Sequence, residues 1–185
     1  MGQRTMAAPK TDDLSRWRTA HAEALRLGRA LLGAAQVFRR YAGELRYRPQ
    51  FGVEGRVGDD LLDAAKTMRE TVTAITSVGA RWDEEITWMR GLDPGMPVDD
   101  IQRGHATARE AMRLLRSALE IFDRSMQHPE TAPLDAPYGT GAPTRVHPGA
   151  QCTWVADRAE WIARELANVT LRKENLLLGV RRTSS

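Results

Sequence analysis

Apolar residues recur along this chain at alternating three- and four-residue steps, and the pattern holds through four separate stretches. The first runs Leu14, Trp17, His21, Ala24, Gly28, Leu31, Ala35, Phe38, Ala42 and Leu45. The second runs Leu61, Ala65, Met68, Val72, Ile75, Gly79, Trp82, Ile86 and Met89, and the third Val98, Ile101, His105, Ala108, Met112, Leu115, Leu119, Phe122 and Met126. The fourth runs Cys152, Val155, Ala159, Ile162, Leu166, Val169, Lys173, Leu176 and Val180. A seven-residue repeat sustained this long turns one stripe of a helix toward partner helices, so the pattern predicts an all-α fold, an antiparallel four-helix bundle of long heptad-patterned helices. Leu25 and Leu32 are expected to widen the first stripe, and Gly28, Ala35 and Ala42 to let a neighbouring helix come close.

Capping residues set the limits. Asp12 and Asp13 open the first helix and Pro49 closes it, giving 12–47, while Gly58-Asp59-Asp60 and Gly91 bound a second helix over 59–90. Pro97 and Asp99 start a third over 98–127, and a fourth spans 150–180. Residues 128–149 hold Pro129, Pro133, Pro137, Pro143 and Pro148, which exclude a helix and predict a long Pro-rich loop. Residues 1–11 and the basic tail 181–185 are expected to be flexible, with 12–180 forming a single domain.

Charge refines the arrangement. Residues 1–58 carry 11 basic and 5 acidic side chains, a net of +6, whereas residues 59–100 carry 4 and 10, a net of −6. This complementarity pairs the first helix with the second. Within the basic part, Arg39, Arg40, Arg46 and Arg48 interleave with Phe38, Tyr41, Tyr47 and Phe51, a pattern that can neutralise phosphates and stack on bases. A nucleic-acid-associated factor is therefore an alternative function, with Arg172, Lys173, Arg181 and Arg182 as further cations. Arginine outnumbers lysine 24 to 3, a bias read as a bacterial or phage genome rich in GC.

Large apolar residues beside the core stripes require another cover. Trp154, Trp161, Leu171 and Leu178 lie off the stripe of the fourth helix, and Leu114 and Ile121 off that of the third. They predict a face for a protein partner or a homo-oligomer, and so a non-enzymatic helical interaction protein serving as an assembly, scaffold or regulatory adaptor.

The chemistry that would contradict this reading is weak. His21, His105 and Lys173 occupy core positions that antiparallel helices bring to one level, flanked by Glu84 and Glu85. Two imidazoles and a carboxylate can ligate a transition metal, which makes a metal-binding bundle a further alternative with His21 and His105 as candidates. Lys173 would repel the cation, and no acidic residue has a histidine three positions later, as di-iron bundles require. No metal or cofactor is expected. Cys152 stands near the start of the fourth helix with His147 five residues earlier, where a helix dipole can activate a thiol, but Cys152 also falls on the core stripe. An enzyme is not expected. The single cysteine excludes an internal disulfide, the longest apolar run is too short to span a bilayer, and Met6 stands where a myristoylation signal wants Ser or Thr, so the expected location is the cytoplasm.

Overall fold

A computed structural model describes residues 11–45, 58–127 and 148–183. Its described residues form an all-α protein with five helical segments: α1 (Thr11–Glu44), α2 (Asp59–Gly79), α3 (Trp82–Leu92), α4 (Asp99–Gln127) and α5 (Pro148–Thr183). Among the described residues no helix is long and apolar enough to cross a membrane.

The second helix differs from expectation. It was predicted to be continuous over 59–90, yet it breaks at Ala80 and Arg81 into α2 and α3. The amide of Arg81 bonds the Val78 carbonyl three residues back, at 3.1 Å, instead of one four residues back. The Gly79 carbonyl accepts instead from the Arg109 guanidinium on α4, at 3.3 Å. Gly79 packs against the Trp82 indole, whose ring lies 3.4 Å from where a Cβ would stand, an ordinary contact distance. A side chain thus serves one of the carbonyls at the break.

Other limits move by a few residues. α5 begins at Pro148, inside the expected loop, and continues to Thr183, through positions expected to be a flexible tail. Residues 128–147 of the Pro-rich loop, together with Arg46 and Arg48, lie outside the described residues.

Side-chain bonds tie the helices to one another. On α1 and α5, Arg39 bonds Asp157 and, at 2.9 Å, Glu160, while His21 stands 3.9 Å from Glu174. On α1 and α2, Arg40 and Tyr41 both reach Asp60, which draws the Asp60 carboxyl below its usual range through the Tyr41 hydroxyl first and the Arg40 guanidinium second. On α2 and α4, Arg69 bonds Asp123 and Arg116 bonds the Thr76 hydroxyl at 2.6 Å.

The core divides in two. The larger cluster packs α1, α2, α4 and α5 around Leu31, Phe38, Met68, Leu115, Phe122 and Ile162, with Phe38 set edge-on against Phe122 at 5.3 Å. A smaller one joins Ile86, Met89, Ile101 and Val169 around the α3–α4 turn. Leu27 and Ala34 fill the flank of α1, whereas Leu32, expected there, is 41% exposed. Gly104 of α4 lies so close to Val169 of α5 that a Cβ would collide with it.

Candidate functional site

Between the two apolar clusters lies a layer of polar side chains. Glu85 in the first turn of α3, His21 of α1, His105 of α4 and Lys173 of α5 are all buried, the last three within the stretches expected to face the core. Glu85 holds the layer together. Its Oε1 lies 3.2 Å from His21 Nε2, and its Oε2 accepts from the Lys173 ammonium. Of the two acids expected at this level, Glu85 points inward and Glu84 is exposed. Burial draws the Lys173 ammonium below the usual lysine value, and the Glu85 carboxylate opposes that shift.

His105 behaves differently from its neighbours. It is 2% exposed, and neither ring nitrogen has a hydrogen-bond partner. The imidazole lies flat against Trp82, with ring centroids 4.4 Å apart and 6° between planes. Burial, reinforced by the charges of Lys173 and Arg109, lowers its pKa to about 3. The ring is therefore neutral at physiological pH, with one N–H to give and one lone pair to receive.

A cavity of about 420 Å³ opens beside this layer. Ala20 and Ala24 of α1, Val78 of α2, Ala108 of α4 and Leu166 and Val169 of α5 give it an apolar wall, and all four polar residues of the layer reach it. Small side chains on α1 face the interrupted α2–α3 step here. Arg16, Thr19, Ser77 and Arg81, all exposed, line its outer part. Its size lies within the range of small-molecule sites. A shallower groove of about 190 Å³ adjoins it, lined by Leu14, Arg18, Glu174, Leu177 and Leu178 and sharing Trp17 and His21.

The metal candidates come to the same layer, but among the described residues no group of three His, Cys, Asp or Glu side chains could hold a metal ion. The cation already on Glu85 is Lys173. Cys152 is buried, and burial pushes its thiol up to about 12, so the activated thiol considered from sequence is not what forms; His147 lies outside the described residues.

The expected partner face is mixed. Leu171 and Leu178 are 59% and 54% exposed, whereas Trp154, Trp161, Leu114 and Ile121 are half-buried, with Trp161 packed on the core and under the Arg158 guanidinium. Of the expected nucleic-acid contacts, Arg39 is tied to Asp157 and Glu160 and Arg40 to Asp60. Phe38 is fully buried, and Tyr41 donates to Asp60 at 2.7 Å. The cavity itself had no signature in the sequence beyond the polar residues that line it.

Comparison with known proteins gives no matching family, no matching curated protein and no matching solved structure.

Proposed function

We propose that this chain is a non-enzymatic helical adaptor that takes a small organic molecule into the cavity beside the His21–Glu85–Lys173 layer. The observation that carries the reading is His105, a neutral, buried imidazole with no partner on either nitrogen, set in the wall of an apolar cavity. A buried polar group left unsatisfied costs about 1–3 kcal/mol, and a ligand that bonds it recovers that cost. The helices assemble in this reading as an antiparallel four-helix bundle, a fold that builds ligand sites from side chains on facing helices. The opposed order of the α1–α5 and α2–α4 contacts supports that assembly. The protein is taken to be cytoplasmic.

The test is a thermal-shift screen of a small-molecule library on the wild type and on Ala20→Trp, which fills the cavity from its half-buried α1 wall. Compounds that raise the melting temperature of the wild type and leave Ala20→Trp unmoved are expected. A library that stabilises neither protein, or both equally, overturns the reading.

A second reading, association with a protein partner or another copy, rests on the exposure of Leu171 and Leu178 on α5. The two readings are compatible, because the groove beside Leu178 shares Trp17 and His21 with the cavity. Leu171→Glu with Leu178→Glu should abolish association seen by native mass spectrometry, and Trp154→Glu with Trp161→Glu tests the half-buried part of that face. Association unchanged in both variants would exclude it. Nucleic-acid binding through Arg39 and Arg40 has less support, since both already serve ion pairs within the fold. A metal-binding bundle has less still, with Lys173 on the carboxylate.

A further inference from the structure

The charges around the cavity differ between its floor and its mouth, and the difference bears on what the cavity accepts. At the floor the Lys173 ammonium and the Glu85 carboxylate neutralise each other, and His105 is uncharged. A further charge placed there would be desolvated without a counter-ion. At the mouth, Glu23 is occupied by a two-pronged bond to Arg26, at 2.7 and 2.6 Å. Arg109, near the α2–α3 break, is likewise engaged by Asp83 at 3.2 Å. The arginines that line the cavity are Arg16 and Arg81, which are exposed and form no ion pair among the described residues. Half-buried Glu165, on the α5 wall, is the acid that stands against these two cations.

Resting on the ligand-binding reading above, we infer that the cavity takes an amphipathic organic acid: an apolar ring body lying between α1 and the α2–α3 break, with one anionic group outward at Arg16 or Arg81 and a hydrogen-bonding atom inward at His105. The anionic group stays at the solvated edge, where a guanidinium can meet it without the cost of burying both charges. The body replaces empty volume with apolar contact against Ala20, Ala24, Val78, Ala108 and Leu166. Neutral His105 serves an N–H donor on the ligand through its lone pair, or an acceptor through its own N–H. A cavity near 150 Å³ holds a benzene ring, so about 420 Å³ has room for roughly 15 non-hydrogen atoms with space to spare.

The charge assignment separates from the cavity assignment when one ring body carries different ends. Isothermal titration of the full chain with indole-3-acetate, indole-3-ethanol and tryptamine compares an anion, a neutral alcohol and a cation. The acid should bind most tightly and the amine most weakly. Arg16→Gln with Arg81→Gln, at exposed positions that make no ion pair among the described residues, should weaken the acid roughly tenfold and leave the alcohol unchanged. 1-Naphthylacetate, which lacks the ring N–H, should bind more weakly than indole-3-acetate, and His105→Leu should remove that difference. Decanoate added to the series distinguishes a lipid-derived acid from a ring-bodied one, and tighter binding of decanoate than of both ring acids overturns the ring body. An amine that binds as well as the acid, or an acid indifferent to the two arginines, overturns the charge assignment while the cavity reading stands. Absence of binding by every compound, with no library compound distinguishing the wild type from Ala20→Trp, overturns both.

Discussion

Trp82 and His105 lie face to face in the core, 4.4 Å between ring centroids and 6° between planes, and the contact closes one side of the imidazole to water. The other constraints on His105 are cationic, from Lys173 and Arg109, so both its burial and its neighbours disfavour a protonated ring.

Acid should therefore destabilise the fold through this residue. The unfolded histidine takes a proton near pH 6.5 and the folded one near about 3, so between these values the unfolded state binds more protons. The His105 contribution is fully present above pH 6.5 and declines as the pH falls toward 3. Stability at pH 5 should be about 2 kcal/mol below that at pH 7.5 through this group alone. Urea midpoints at the two pH values, for the wild type and His105→Leu, check this: the variant should lose less on acidification by about that amount. Equal losses would mean that the ring takes its proton inside the fold.

Removing Lys173 should be costly, and removing Glu85 with it much less so. Lys173→Met leaves the Glu85 carboxylate buried with only His21 beside it among its present partners, at an expected cost of about 3–5 kcal/mol. Adding Glu85→Leu removes the stranded charge, and the double variant should recover more than half of that loss. Chemical denaturation of both single variants and the double variant completes the cycle. Costs that simply add would show that the pair is not coupled.

Gly104→Ala should destabilise by about 1–3 kcal/mol, because the added methyl meets Val169 on α5. Val169→Ala in the same chain should restore part of that loss by making room. The expected signature is a double variant more stable than Gly104→Ala alone, read from thermal melts, and a double variant worse than the sum of the two losses would refute the close approach. Gly28, by contrast, stands at ordinary contact distance, 3.6 Å from the Ala163 backbone, so Gly28→Ala should be tolerated.

Cys152 should resist modification by a thiol reagent such as dithiobis-nitrobenzoate at pH 8 until the protein unfolds. Burial holds its thiol near about 12, so the reactive thiolate is scarce, and the side chain is fully inaccessible. Rapid labelling of the native protein would reinstate the activated cysteine that its place near a helix start suggests.

The helical composition and most inward-facing residues were legible in the sequence because burial on a helix imposes a short repeat. Leu61, Met68, Val72, Ile75, Trp82, Ile86 and Met89 are all buried as that repeat requires. The same continuity concealed the interruption between α2 and α3: no residue is inserted there, no proline marks it, and Gly79 and Trp82 keep the three-residue step. Leu32 was misplaced because the repeat gives the middle of a stripe but not which flank a neighbouring helix covers. The polar layer could be read from His21, His105 and Lys173 on three core stripes, but its pairing could not, since choosing Glu85 over Glu84 depends on the turn of α3. The cavity was invisible for a simpler reason: an unfilled volume is a deficit among several helices and leaves no residue of its own in any one of them.

The two-residue step at Ala80 and Arg81 also works as a phase lock. Each residue of a helix turns the chain by about 100°, so deleting one residue at this step would rotate everything from Trp82 to Leu92 by that angle relative to α2. Trp82 would leave His105, Glu85 would swing away from His21 and Lys173, and Ile86 would lose its place in the smaller cluster together. A change of length at this one step would thus alter the stack, the buried ion pair and the second core at once, so the chain has far less freedom to vary its length here than substitution at any single one of those positions would suggest.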